Sequence, residues 1–179
     1  MKHIPNVELV LRAISWSIRV HEGQWRKDDI TPFVAHPMRV MTVLSLAFEI
    51  TDPELLATAA LHDTIEDTTV DFDDLAQEFG PEVAQNVAWL TKDTRLSEQQ
   101  RERDYFHALA EAPFGVQLCK LADVYDNLAD STSLPMEQRS KTINKAADLL
   151  ELVREQLAVS RPRVLEAMER QIEQTRPVP

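Results

Sequence analysis

One run in the first half of the chain combines an imidazole with three carboxylates. His62 and Asp63 follow the apolar stretch Ala59-Ala60-Leu61, and Glu66 and Asp67 come soon after. On a continuous helix, Glu66 lies four residues past His62 and three past Asp63, so the three side chains share one face. Asp67, four residues past Asp63, can share that side. Three acids beside an imidazole repel one another unless a cation neutralises them. The run therefore predicts a metal site with catalytic carboxylates beside it.

Two further residues are candidate ligands for the same ion. His36 precedes Pro37, and because proline favours a first helical position, His36 is expected at a helix start. Asp123 stands among apolar helix positions, where an unpaired carboxylate is costly to bury. Two imidazoles and two carboxylates, from His36, His62, Asp63 and Asp123, suit a first-row divalent ion, with Mn²⁺, Fe²⁺ and Zn²⁺ all compatible. Such an ion polarises a phosphoryl oxygen, leaving Glu66 or Asp67 to orient or deprotonate water or to protonate the leaving oxygen.

The charge of the chain restricts the class of partner. Its 179 residues carry 30 acidic and 19 basic side chains, a formal net charge of −11. Nucleic acid requires a basic surface, so a nucleic-acid partner is not expected. Several basic residues nevertheless cluster along the sequence: Arg26-Lys27, Arg39, Lys92 and Arg95. An acidic body with a few local cations predicts a small phosphorylated substrate.

The sequence also predicts a cytoplasmic protein without a membrane partner. No apolar run approaches the roughly 20 residues that span a bilayer, and the N-terminus lacks the features of a signal peptide. A single cysteine, Cys119, excludes an internal disulfide. Its apolar surroundings predict a buried structural thiol. The remaining histidines have no predicted partner and are interpreted as surface or structural residues: His3, His21 and His107.

The composition predicts one all-α domain. Only three glycines occur, and Ala, Leu, Glu and Gln dominate. The first helix is expected at about 6–20, with an inner stripe formed by Val7, Val10, Leu11, Ile14 and Ile18. Asp52-Pro53-Glu54 predicts the start of a helix that leads into His62-Asp63. The long helices expected at about 136–159 and 162–175 either form a dimer seam or close the core, so the oligomeric state stays open.

These residues together resemble a known family. A histidine before a helix, a His-Asp pair and a distant Asp form the signature of the HD-domain metal-dependent phosphohydrolases. The chain is most similar to the Rel/Spo-type alarmone hydrolases over about residues 7–155. The segments that carry this resemblance recur in the same order and at similar spacing: 24–27, 31–37, 61–68, 79–80, 90–92 and 120–123. The length leaves no room for a synthetase region, so the chain resembles the single-domain small alarmone hydrolases, among them the metazoan SpoT homologues.

The resemblance implies an HD-domain bundle of about eight to ten helices, with 1–179 as one hydrolase domain. It implies one Mn²⁺ held by His36, His62, Asp63 and Asp123. Glu66 and Asp67 would activate the water that removes the 3′-pyrophosphate from (p)ppGpp. Arg26 would stack on the purine base with Lys27 beside it, and Asn127 would contact the ribose or a phosphate. Lys92 or Arg95 would hold the remaining phosphates.

The chain departs from the family pattern around the base and ribose contacts. Trp25 replaces a basic residue, Phe33 a tyrosine, Val124 an arginine or lysine, and Asp126 a histidine or tyrosine. These changes leave the adenine alarmone (p)ppApp as an alternative substrate, and NADPH as a secondary one. Two other functions stay open: an HD-type nucleoside monophosphate phosphatase, and a catalytically silent domain that senses a nucleotide or a metal.

Overall fold

The computed structural model describes residues 6–177, apart from the side chain of Ser133. Every named element of secondary structure in that range is a helix. His3 lies outside the described residues. The all-α prediction is confirmed, and the described range contains ten α-helices. They are α1 (Val7–Val20), α2 (Ala35–Thr42), α3 (Pro53–Leu61), α4 (Thr64–Asp67), α5 (Phe72–Phe79), α6 (Pro81–Leu90), α7 (Glu98–Glu111), α8 (Phe114–Asp130), α9 (Met136–Ser160) and α10 (Pro162–Thr175). A π-helical segment, Val43–Ala47, continues α2, and a 3₁₀ turn, Ser131–Ser133, follows α8.

Helix starts follow the signals in the sequence. The Asp52 carboxylate accepts the main-chain N–H groups of Glu54 and Leu55, which would otherwise be unpaired at the start of α3. Between α5 and α6 the chain turns through Gly80 at φ +90°, a conformation that side chains with a Cβ rarely adopt, and Pro81 then opens α6. Local chemistry therefore fixes these boundaries.

The predicted inner stripe of α1 is wrong at three of its five positions, whereas Val10 and Ile14 are partly buried. Val7, Leu11 and Ile18 are about half exposed, at 53%, 57% and 49%. The helix instead buries Ala13 and Ser17, and Ala13 packs with Ala57 and Ala60 of α3 in one hydrophobic cluster. Small side chains on both helices permit a close approach, so the large aliphatic residues are left on the outer flank. Hydrophobic periodicity favours the wrong side because it weights large residues over small ones.

Helix α3 lies between the two hydrophobic clusters found in the described range. Ala59 belongs to the larger cluster, with residues of α7, α8, α9 and α10. Ala57, Ala60 and Leu61 belong to the smaller cluster, with residues of α1, α5 and α6. Because both sides of α3 are buried, its C-terminal end is held firmly in the interior, where His62 follows. Cys119 lies in the larger cluster, so the buried thiol is confirmed.

Among the helices of residues 6–177, none combines the length and the apolar character that a bilayer crossing requires.

Candidate metal centre and adjoining cavity

Four predicted ligands converge from three parts of the chain: α2, the turn after α3, and α8. Nε2 of His36 lies 3.1 Å from Oδ1 of Asp123, and Nε2 of His62 lies 3.8 Å from the same oxygen. Asp63 contributes its two oxygens, 3.6 Å from His36 Nε2 and 3.1 Å from His62 Nε2. Ligand atoms of His36, His62 and Asp123 all lie within 4.8 Å of one another, and the three residues are buried. The structure thus brings together all four residues that the sequence predicted as ligands.

The helix on which the sequence argument placed His62 and Asp63 is not continuous. Helix α3 ends at Leu61, and α4 begins only at Thr64. The Thr64 hydroxyl donates to the carbonyl of Leu61 at 2.6 Å, and the His62 imidazole pairs through Nδ1 with the carbonyl of Ala59 at 2.9 Å. These side chains satisfy carbonyls at the end of α3, so the chain can turn there. The turn still directs His62 and Asp63 into the cluster.

The charge state of the cluster reflects burial opposed by ion pairing. Burial alone would raise the pKa of Asp123, but the Lys120 ammonium and the two imidazoles outweigh it and hold the pKa well below its usual value. Burial would lower the pKa of His36, but its contacts with Asp123 and Asp126 raise that pKa to about 9. Without a cation the cluster is therefore a proton-bearing ion-pair network, and metal binding would displace the His36 proton.

Glu66 and Asp67 lie on the single turn of α4, next to the cluster. Oε2 of Glu66 accepts the main-chain N–H of Lys92 at 3.0 Å, which ties α4 to the end of α6. Burial, followed by the charges of Asp63 and Glu66, raises the pKa of Asp67 to about 6. Asp67 is therefore a carboxyl group that can hold or release a proton close to neutral pH.

A cavity of about 870 Å³ adjoins the cluster, and Asp123 belongs to both. The described walls of the cavity include these cationic side chains: Arg26, Lys27, Arg39, Lys92, Lys120 and Lys145. Acidic residues also line it, so the cations are partly paired with them. Such a concave site with converging charges suits a small polar ligand. Four of the five cations predicted to cluster therefore share this cavity in the described structure: Arg26, Lys27, Arg39 and Lys92.

Arg26 and Asn127 lie at the end of the cavity next to Asp123. Nη2 of Arg26 lies 3.3 Å from Oδ1 of Asn127 and 2.7 Å from Oδ2 of Asp130. Nδ2 of Asn127 donates to Oδ1 of Asp123 at 2.5 Å. The Arg26 guanidinium also lies over the Phe33 ring, 5.8 Å from its centroid. Both predicted substrate contacts are therefore connected to the metal cluster, with the exposed Lys27 at the cavity wall.

Of the two alternatives for the remaining phosphates, only Lys92 lines the cavity in the described structure. Its ammonium pairs with Glu102 at 2.8 Å and lies 5.0 Å from the centroid of the Tyr105 ring. Arg95 has an 88% exposed side chain and pairs with Asp93 in its own loop at 2.7 Å. The loop after α6 is fixed at Lys92 by Glu66 and reaches solvent three residues later, which carries Arg95 away from the cavity.

The sequence reasoning missed several side chains of this site. Lys120 is partly buried, and its ammonium lies 2.6 Å from Oδ2 of Asp123. Its spacing of three residues from Asp123 on one helix was the signal available in the sequence. Lys145 of α9 reaches the cavity and pairs with Glu102 at 3.2 Å. No sequence signal could have found Lys145, because only tertiary packing brings α9 to α7. His21 is buried and pairs with Gln24 at 2.7 Å, as expected for a structural histidine.

Known proteins share both the sequence pattern and the fold. The model of the HD domain family matches residues 13–159. The guanosine-3′,5′-bis(diphosphate) 3′-pyrophosphohydrolase MESH1 of Drosophila melanogaster is 39% identical over 67% of this chain and 68% of its own length. The Danio rerio protein of the same name is 37% identical over 68% of each chain.

A solved structure of a metazoan orthologue of SpoT, described as hydrolysing ppGpp, superposes with a TM-score of 0.80 at 30% identity. That match covers 93% of this chain and 94% of the orthologue. With the buried histidine and aspartate cluster of a divalent-metal site, these matches show that the chain belongs to the HD domain family.

Proposed function

We propose that this protein is a Mn²⁺-dependent 3′-pyrophosphohydrolase that removes pyrophosphate from (p)ppGpp, from (p)ppApp, or from both. The observation that carries the proposal is the junction at Asp123 between a buried His/Asp cluster and a cavity lined by cations. The names of the MESH1 relatives and of the SpoT orthologue support the substrate class. We also propose that 1–179 form one hydrolase domain, which acts in the cytoplasm.

The donor atoms of the cluster fit a divalent cation. Nε2 of His62 is buried and, within the described structure, makes no hydrogen bond, although Asp63 lies nearby. A buried nitrogen without a partner is costly, and a metal ion would satisfy it. Mixed nitrogen and oxygen ligands suit Mn²⁺, with Fe²⁺ and Zn²⁺ as alternatives. A cation held by His36, His62, Asp63 and Asp123 would supply Lewis acidity for phosphoryl and water oxygens.

The two carboxylates of α4 have different parts in the proposed reaction. Asp67, with its raised pKa, accepts a proton from the attacking water or gives one to the departing 3′-oxygen. Glu66 is held by the N–H of Lys92 and orients the water with its other oxygen. The environments of the two groups separate their roles: Asp67 carries the proton, and the N–H of Lys92 holds Glu66 in one orientation.

The cavity binds the nucleotide in an orientation set by its cations. Arg26 offers a flat guanidinium for stacking on the purine, with Lys27 beside it. Asn127, bonded to Asp123, contacts the ribose or the 3′-phosphate next to the metal cluster. Lys92 takes the remaining phosphates, at the wall where it pairs with Glu102. These contacts position the 3′-pyrophosphate over the cluster.

Product analysis tests the proposal. Mn²⁺-loaded protein is offered ppGpp, ppApp, NADPH and simple nucleoside monophosphates in parallel, with Asp63→Ala as the inactive control. Release of pyrophosphate from ppGpp or ppApp is the expected result, and the ratio of the two rates gives the base preference. Inorganic phosphate released only from monophosphates would contradict the proposal and favour a nucleotidase. Alarmone binding without turnover would favour a sensing domain.

A further inference from the structure

Asp126 lies behind the metal cluster, between α8 and α2. Its Oδ2 is 2.7 Å from Nδ1 of His36, and the residue is 4% exposed. The Arg39 guanidinium donates two hydrogen bonds to the buried carboxylate of Asp126, from Nε to Oδ1 at 2.7 Å and from Nη2 to Oδ2 at 3.1 Å. Two parallel contacts of this kind fix the plane of a carboxylate. Asp126 is thus a rigid acceptor aimed at the side of His36 that faces away from the cluster.

We propose that Asp126 is a positioning residue that fixes the tautomer and the ring orientation of His36 for metal binding. A carboxylate can only accept, so the proton of a neutral His36 must lie on Nδ1. The lone pair is then on Nε2, the atom that lies 3.1 Å from Asp123 and 3.6 Å from Asp63. This inference rests on the metal site of the proposed function, but it does not depend on the identity of the substrate.

The two ligand histidines differ in the partner of Nδ1. The Nδ1 of His62 pairs with the carbonyl of Ala59, three residues earlier in the chain. The equivalent carbonyl for His36 belongs to Phe33, and it already accepts the main-chain N–H of His36. In the structure Nδ1 of His36 pairs instead with Oδ2 of Asp126, at 2.7 Å. Asp126, reaching across from α8, supplies the acceptor that the local chain does not.

Asp130 provides a matched control, since it lies one turn further along α8 and pairs with the same arginine. Nη2 of Arg39 lies 2.8 Å from Oδ2 of Asp130. Asp130 pairs with Arg39 and Arg26, whereas Asp126 pairs with Arg39 and with the His36 imidazole. Removing each carboxylate in turn therefore separates the contact with His36 from the general effect of losing a negative charge beside Arg39.

The test is Mn²⁺ affinity, measured on purified protein by competition with a fluorescent chelator. Asp126→Ala is expected to weaken Mn²⁺ binding by about 10- to 100-fold, the usual effect of removing such a partner of a ligating histidine. Asp126→Asn should lose less, because its amide oxygen can still accept from Nδ1. Asp130→Asn should keep the wild-type affinity. A folded Ala variant with wild-type affinity would overturn the inference, and so would an equal loss in Asp130→Asn.

The tautomer itself gives a second test that needs no variant. In the Zn²⁺-loaded wild-type protein, long-range ¹H–¹⁵N correlation spectra should show His36 protonated on Nδ1 and bound to the metal through Nε2. A metal bound through Nδ1 would overturn the inference even if Asp126→Ala failed to fold. Wild-type protein that bound no divalent cation would overturn the metal site as well, whereas tight wild-type binding unaffected by Asp126→Ala would overturn this inference alone.

Discussion

At the scale of single residues, neighbouring groups shift the pKa values of two aspartates in opposite directions. Burial and the charges of Asp63 and Glu66 raise the pKa of Asp67 to about 6. Asp123 is also buried, but Lys120 and the imidazoles hold its pKa far below the usual range. Two carboxylates of the same site thus have pKa values shifted in opposite directions, as the proposed roles of a proton carrier and an anionic ligand require. The predictions at this scale separate those tasks.

Asp63→Ala should lose bound metal and activity together. The two oxygens of Asp63 each approach a different ligand imidazole, so its removal takes away one of the two carboxylates that both histidines share. Metal content by elemental analysis, beside turnover of ppGpp, measures both effects. Asp93→Ala is the matched control, because Asp93 lies in an exposed loop and pairs with Arg95. An Asp63→Ala protein with full metal content would contradict the ligand assignment.

Glu66→Gln should keep its metal and lose turnover by about 10²-fold or more, as expected when a group that acts on the water is neutralised. The amide oxygen can still accept the N–H of Lys92, so the turn of α4 is preserved. Elemental analysis and single-turnover rates on the same preparation provide the comparison. Loss of metal in this variant would mean that Glu66 is itself a ligand.

Arg26→Ala should raise KM more than it lowers kcat, because stacking on the base stabilises bound substrate and transition state alike. Arg95→Ala serves as its control: both variants remove one guanidinium, but only Arg26 lines the cavity in the described structure. Steady-state kinetics with ppGpp should therefore separate them, with Arg95→Ala close to wild type. An equal rise in KM for both variants would indicate a general charge effect in place of a stacking contact.

At the scale of elements, one helix carries much of the site. Along α8, spacings of three and four residues place these side chains at the cluster or the cavity: Lys120, Asp123, Asn127 and Asp130. The four-residue spacing of Asp123 and Asn127 predicts neighbours on one helical face, and their 2.5 Å hydrogen bond confirms it, because helical periodicity is local. It could not predict Lys145 or the displacement of Arg95, because these depend on how α9 and the loop after α6 pack. The break between α3 and α4 was missed for a related reason: side-chain competition for carbonyls overrides the helical pattern there.

The cap of α3 gives a prediction at this scale. Asp52→Ala removes the acceptor for two main-chain N–H groups and should lower the free energy of unfolding by about 1 kcal/mol. Urea denaturation measures it, with Asp73→Ala as control, since Asp73 lies in the first turn of α5 while Asp71 is the cap. Turnover at low temperature should be unchanged, because the folded position of His62 is set by burial of α3 on both sides. Lost activity with unchanged stability would contradict this account.

At the scale of the whole molecule, the two hydrophobic clusters pack on opposite sides of α3, the helix that leads into the candidate ligands His62 and Asp63. Cys119 reports on the larger cluster. Its side chain is 1% exposed, and burial raises the pKa of the thiol well above its usual value. A thiol that is both buried and protonated is not nucleophilic, because only the thiolate reacts. Its modification therefore requires the core to open.

Alkylation of Cys119 should consequently measure global unfolding and, through it, metal binding. Native protein should resist a thiol reagent, and labelling in sub-denaturing urea should follow the unfolded population. Because Mn²⁺ binds the folded state, it should slow labelling by a factor of about one plus the ratio of its concentration to Kd. The same experiment on Asp63→Ala should show no Mn²⁺ effect, since the ligand set is broken. Rapid labelling of the native wild type would contradict the buried environment of the thiol. An equal Mn²⁺ effect in both proteins would place the stabilising ion elsewhere in the molecule.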